Sequence, residues 1–299
     1  MILDFETINQ YGGLDFFAKK AVEGFIIGLH KSPYQGFSVE FSEHKAYTPG
    51  ESTKNIDWKL FARTDRLYKK VYDEETNLRA YILLDVSPSM NYPYQAEKNK
   101  FNYARFCAAA LIKLFHSQRD SVSLITFDSD IKTFSKNKTS SSHTSLLVET
   151  LKKEKVSEGE FEKSELRNII SKVVSQIPKR SVVILLSDMI YHQESNEDVF
   201  KSIAQLHFEG HETIVFQLFD SKTEFNFDLD KSSPVQLTDL ETSESILLDP
   251  REINNENLKS IQNRLNEFES YCKKHKTELV KVDINQPINQ VLLPYFLKR

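Results

Sequence analysis

Cysteine is scarce in this sequence, with two residues in 299, Cys107 and Cys272. Neither stands in a CxxC or other metal-ligand spacing, which excludes a thiolate metal cluster. Both fall in helical patterns, where a thiol packs as a small apolar group in a reducing compartment. Long apolar runs are missing too. No stretch approaches 18 apolar residues, so no membrane-spanning helix is expected. An excess of one charge is also lacking. Lysine and arginine total 39 against 43 acids, for a net charge of -4, which argues against a general nucleic-acid binder. The opening MILDFETINQYGG has acids where a secretory signal needs a basic start, so a cytoplasmic protein is expected. Familiar catalytic signatures are absent: there is no Walker A sequence and no Gly-x-Ser-x-Gly elbow. His207 and His211 are four residues apart, but Gly210 interrupts the helix and no acid follows His207 in the HExxH manner. They read as surface or core histidines.

What is present suits a water-soluble globular chain, 39% hydrophobic and 27% charged, long enough for an α/β domain and an appendage. Four short apolar runs each end on an aspartate. They are YILLD at Asp85, VSLITFD at Asp128, VVILLSD at Asp188 and TIVFQLFD at Asp220. Runs this short and this continuous read as strands buried on both faces of a parallel sheet. Helical periodicity fills the gaps: Phe101, Ala104, Cys107, Ala108, Leu111, Ile112 and Phe115 recur on one stripe. SELRNIISKVVSQI and EDVFKSIAQLHFEG follow suit, the latter stopping at Gly210. TELVKVDI is a last strand, and DSDIKTFS a short hairpin strand at the sheet edge. The expected fold is an α/β, doubly wound, mostly parallel sheet with a β-rich N-terminal appendage. The expected division is 1–77 for the opening helix and appendage and 78–299 for the sheet domain. Within the first part, LDFFAKKAVEGFIIGL is amphipathic with both charge signs on its polar face. It reads as a helix packed on its own domain, with peripheral membrane contact as the alternative.

In an open α/β sheet, ligands bind beyond the carboxyl ends of the strands, where strand order reverses. All four aspartates lie at that edge. The first is followed by hydroxyls at Ser87 and Ser89, and a turn directly after a strand can aim alternate side chains at one point. A carboxylate and two hydroxyls form an oxygen-only donor set, which suits a hard divalent cation: magnesium first, with manganese or calcium as alternatives. Asp188 adds a carboxylate from a neighbouring strand, directly or through water. Thr144, in SSSHTSLL, is the candidate from a third loop, with Ser142 as its substitute. Hydroxyls bring no formal charge, so the ion keeps positive character and an open position for an acidic side chain of a partner. That chemistry is ligand capture rather than bond cleavage. The plainer alternative is that the serines only cap a helix and brace a turn.

This pattern resembles the von Willebrand factor A domain with its metal-ion-dependent adhesion site. That resemblance assigns Asp85, Ser87 and Ser89 to the Asp-x-Ser-x-Ser signature, Thr144 to the second loop and Asp188 to the later strand. The loop at Thr144 departs from the Gly-Gly-Thr common in adhesion domains. A further resemblance covers nearly the whole chain. Tyr47, Pro49, Gly50, Glu51, Ile56, Asp57, Trp58, Ala62, Arg63, Tyr72, Glu74 and Glu75 are similar to the lead-in of a bacterial family catalogued as domain of unknown function 58. Members are typically encoded beside MoxR-type AAA+ ATPases. The resemblance implies a non-catalytic adaptor or co-chaperone of such an ATPase. The alternatives are a metal-dependent phosphohydrolase and a structural subunit with an unoccupied metal site. Against the phosphohydrolase, Ser87 stands where aspartate-nucleophile phosphatases place a second aspartate.

Overall fold

The computed structural model describes residues 14–15, 18–19, 21–22, 41–48, 56–72, 78–94, 96–157, 166–190, 196–225, 235–238, 245–248, 255–288 and 290–292. Of the lead-in pattern, Pro49, Gly50, Glu51, Glu74 and Glu75 fall outside them. The chain forms two compact units. One is Pro33–Asn77, and the other joins Met1–Ser32 to Leu78–Arg299.

In the smaller unit, β1 (Phe41–Ala46) pairs antiparallel with β2 (Tyr68–Tyr72). Between them lies α1 (Trp58–Thr64). Asp57 starts that helix, its carboxylate accepting from the backbone N–H of Lys59 and Leu60 at 3.0 and 3.1 Å. Two of the four donors that open every helix are thereby satisfied.

In the larger unit, five strands run parallel: β3 (Arg79–Asp85), β4 (Ser121–Phe127), β6 (Val182–Ser187), β7 (Glu212–Phe219) and β10 (Glu278–Asp283). β5 (Ile131–Phe134) closes one edge antiparallel to β4, as a hairpin strand should. The order across the sheet is β10-β7-β6-β3-β4-β5. Strand β3 is therefore flanked by β4 on one side and β6 on the other. The chain reverses direction across the sheet at β3, which opens the crevice where such folds bind ligands. A separate two-stranded ladder pairs β8 (Val235–Thr238) with β9 (Ser245–Leu248).

The alternation of a strand explains the double winding. Ala80, Ile82 and Leu84 of β3 face one core, with α2 (Lys100–Ser117) and α3 (Ser141–Lys153). Tyr81 and Leu83 face the other, with α4 (Leu166–Gln176), α5 (Asn196–Phe208) and α6 (Asn255–Lys274). Full burial of Ile82, Leu83 and Leu84 stabilises the fold by about 1.5–3 kcal/mol each. Both cysteines are free and buried, and burial pushes the Cys272 thiol up to about 12.

The expected boundary at residue 77 misplaces the opening segment. Leu14, Ala18, Ala21 and Val22 belong to the first core, and Asp15 pairs with Lys113 of α2 at 2.9 Å.

Three helices end in one geometry. After α5, Gly210 (φ +87) donates to the His207 carbonyl, and His211 to that of Leu206. This is the Schellman arrangement that glycine favours. Arg119 (φ +63) after α2 and Lys276 (φ +52) after α6 hold the same position without being glycine.

Candidate functional site

Strand β3 delivers Asp85 to the carboxyl edge, level with Phe127 of β4. On the other side, Leu84 is level with Leu186, which brings Ser187 beside Asp85. The Asp85 carboxylate accepts from the Ser87 backbone N–H at 2.9 Å and from the Ser187 hydroxyl at 2.7 Å. The first of these bonds folds the chain back immediately after the strand. A single 3-10 turn, Pro88–Asn91, follows, anchored by fully buried Met90. Folded this way, the Ser87 and Ser89 hydroxyls lie 3.1 Å apart.

That spacing is compatible with two roles. Two adjacent ligands of an octahedral ion at about 2.0–2.1 Å are separated by about 2.9 Å. The hydroxyl pair thus spans one edge of a magnesium coordination shell as well as it makes a hydrogen bond.

Asp188 lies one residue beyond Ser187, and its side chain is wholly buried. The charge of Asp188 reaches Asp85: burial first, then repulsion from Asp188, raises the Asp85 carboxyl to about 6, although the bonds from Ser87 and Ser187 oppose the rise. Two acids share a buried edge, and a cation between them would relieve both.

One cation is already there. Lys100, the first residue of α2, is 1% exposed, and its Nζ lies 3.1 Å from Asp188 Oδ2 and 2.6 Å from Glu224 Oε1. Burial works against its charge, and the carboxylates of Asp188 and Glu224 outweigh that cost, so the group stays an ammonium. Glu224 belongs to the π-helical turn Ser221–Phe225 after β7, and its other oxygen accepts from the Asp220 N–H at 2.6 Å. The Tyr92 ring lies 5.4 Å from Nζ. Asp188 Oδ1 accepts from the Ile190 N–H at 3.1 Å.

The donor set therefore fits a hard divalent cation on the side of Asp85, Ser87 and Ser89. On the Asp188 side, such an ion meets the Lys100 ammonium. Asp85, Asp188 and Glu224 against Lys100 leave two negative charges when all are ionised, the charge that one divalent cation neutralises. Among the described residues, no three His, Cys, Asp or Glu side chains form a metal-binding group, so a cation here depends on hydroxyls. Bound, it would supply a Lewis-acidic centre with an open position for a partner's carboxylate.

Thr144 is not part of this constellation. It lies in the first turn of α3, and its hydroxyl donates to the Ser140 carbonyl at 3.3 Å. The preceding His143 ring contacts the Val122 carbonyl at 3.2 Å. Val122 is the second residue of β4, five residues before Phe127, so the start of α3 lies about 16 Å from the edge that carries Asp85. The reason is the hairpin: antiparallel β5 carries the chain back to the far edge before α3 begins. Ser142 opens the same helix and is displaced with it. The loop that does approach the motif follows α3. There the Ser157 N–H donates to the Val86 carbonyl at 2.9 Å, and its hydroxyl donates to Asp128 at 2.6 Å.

The other strand-end acids serve their own loops. Asp128 also accepts from the Asp130 N–H at 3.1 Å and pairs with Lys132 at 2.8 Å. Asp220 accepts from the Lys222 N–H, the Thr223 hydroxyl and Asn285 Nδ2. Lys100, Ser187 and Glu224 were not anticipated. The signal for Lys100 was available: it lies four residues before Ala104 and seven before Cys107, on the apolar stripe of α2. A lysine on a buried stripe requires a buried acid.

Residues 43–266 match DUF58, a family described as proteins of unknown function. The chain belongs to that family. The DUF58 match covers about three quarters of the sequence and includes Asp85, Ser87, Ser89, Lys100, Asp188 and Glu224. No curated protein matches the chain. Among solved structures, a conserved hypothetical protein BatB from Bacteroides thetaiotaomicron is 15% identical, with a TM-score of 0.46, covering 74% of this chain and 100% of its own. An aerotolerance-related membrane protein from Bacteroides fragilis, also 15% identical, has a TM-score of 0.43 over 71% of this chain and 99% of its own. Proximal thread matrix protein 1 from the mussel byssus is 16% identical, with a TM-score of 0.38 over 48% of this chain and 37% of its own. Among the described residues, no helix is long and apolar enough to cross a membrane.

Proposed function

We propose that this DUF58 protein is a non-catalytic interaction module whose binding edge takes up a divalent cation, magnesium in the first instance. The cation presents a coordination position to an acidic side chain of a protein partner. The observation that carries this reading is the chain of oxygen contacts in which the Ser87 side chain meets both the Asp85 carboxylate and the Ser89 hydroxyl, 3.1 Å away, beside a buried, repelling acid pair. Turn bracing alone asks for no second carboxylate at that spot. The partner class, a MoxR-type AAA+ ATPase served as adaptor or co-chaperone, comes from the family resemblance.

A second reading has one observation in its favour. The ammonium of Lys100 on Asp188 supplies a counter-charge from within the chain, as a structural subunit without a resident metal would need. One experiment separates the two. Association with the MoxR-type ATPase is measured in magnesium and in EDTA, for the native chain and for Ser87→Ala/Ser89→Ala. The interaction module loses association in EDTA and in the double variant. Equal association under all four conditions would refute it and favour the structural subunit.

A further inference from the structure

Resting on that reading, we propose that Lys100 is a resident competitor for the metal. Its ammonium holds Asp188 until a divalent cation displaces it, and Glu224 is the anchor that receives it. Three observations carry this. First, Nζ sits directly on Asp188 Oδ2, so the ammonium and an incoming cation cannot both use that oxygen at close range. Second, the closer of its two partners is not Asp188 but Glu224, 2.6 Å against 3.1 Å. Withdrawal from Asp188 therefore leaves the lysine paired, not stranded in an apolar site. Third, Glu224 is itself held, by the Asp220 N–H, on a turn at the end of β7. Its side chain is 23% exposed, whereas that of Asp188 is fully buried.

The device sets affinity. A lysine tethered at the first turn of α2 presents its charge at a high effective concentration, and a divalent cation must work against it. The site then takes up metal weakly by itself and more firmly when a partner's carboxylate adds a ligand. Lys100 acts here as a positioning residue, not as a ligand.

The test uses magnesium alone as the probe, read by calorimetry and by thermal shift on the full chain. Lys100→Met removes the competitor and should tighten magnesium binding about tenfold or more, since a nearby like charge is gone. Glu224→Gln removes the anchor, leaves Lys100 on Asp188 and should weaken binding. In a double-mutant cycle, Glu224→Gln should cost less affinity on the Lys100→Met background than in the native chain, because only the loss of its own charge remains once the lysine is gone, and an equal cost in both overturns the inference. Near-UV circular dichroism checks that each variant is folded. If Lys100→Met does not fold, Glu224→Gln remains, a near-isosteric change at a side chain less deeply buried than Lys100, and unchanged or tighter binding in it overturns the inference. So does unchanged or weaker binding in a folded Lys100→Met. If neither the native chain nor any folded variant binds magnesium, the metal reading itself fails and this inference with it.

Discussion

Asp85→Asn should stabilise the metal-free protein at neutral pH, although it alters the residue on which the proposed function turns. The carboxyl of Asp85 is raised to about 6 from the usual 3.8. A raised carboxyl means that the folded state holds its proton more tightly than the unfolded chain. Ionising it therefore costs stability, and that cost is absent below the unfolded value. It grows as pH climbs from about 4 to about 6 and is fully present above that. The difference between 3.8 and about 6 corresponds to about 3 kcal/mol at most. Asparagine removes the ionisation but meets the Ser187 hydroxyl with an amide that donates. Ser187 Oγ already accepts from the Met189 N–H at 3.0 Å, and accepting a second bond requires only that the hydroxyl rotate. The residual mismatch, of order 1 kcal/mol, does not vary with pH. Denaturant unfolding in EDTA, native against variant, at pH 4 and pH 8, isolates the effect. The variant's relative stability should rise by about 2–3 kcal/mol across that range. At the melting midpoint this is a gain of several degrees for a chain this size. In magnesium the ranking should narrow or reverse, because only the native chain gains from the ion. A difference between the two proteins that is the same at pH 4 and pH 8 would refute the buried, repelled Asp85 described here.

Thr144→Val should leave the magnesium response of melting unchanged, since Thr144 lies at the far edge of β4; a lost response would return it to the ligand set. At magnesium concentrations 100 times the dissociation constant, the native chain should gain about 2.7 kcal/mol. Ser87→Ala/Ser89→Ala should gain none, and an equal gain in calorimetric melts would place the ion elsewhere. Lys276→Gly should stabilise by about 0.5–1 kcal/mol, because the left-handed φ of +52 costs a side chain about 1–2 kcal/mol, of which glycine's greater freedom in the unfolded chain takes back only part. Denaturant midpoints would expose an error of sign.

The sheet was legible because its physics is local. A strand buried on both faces has to be apolar throughout, and YILLD, VSLITF and VVILLS are, so their number and endpoints could be read directly. The position of Asp188 beside Asp85 followed from strand order, which the alternation of strands and helices constrains. Thr144 failed for a non-local reason. Its motif-like setting, a hydroxyl opening a helix after a polar loop, is the same at either edge of the sheet. Only the return of β5 decides which edge it occupies. Lys100 and Glu224 lie 124 positions apart, and no period links them. The lysine announced that it needed a buried acid but not which one. The opening segment was misassigned because amphipathicity says that a helix has a buried face without saying which unit buries it.

The charge count bears on how a partner would be recognised. Asp85, Asp188 and Glu224 against Lys100 leave two negative charges, and a divalent ion brings the sum to zero. With Asp220 at the same edge counted as well, an acidic side chain approaches a cluster with no net positive charge. Its attraction is the coordination bond itself and the short-range field of a partly desolvated ion. Long-range steering contributes little, and steering is the part that salt screens, beyond about 8–10 Å at ordinary ionic strength. Magnesium-dependent association with an acidic partner should therefore change by no more than a few-fold between 50 and 200 mM sodium chloride. It should vanish on chelation at either concentration. Surface interferometry at fixed free magnesium would measure this. A tenfold or steeper loss over that salt range would show that a charged surface elsewhere does the binding, and the carboxyl edge would then need another role.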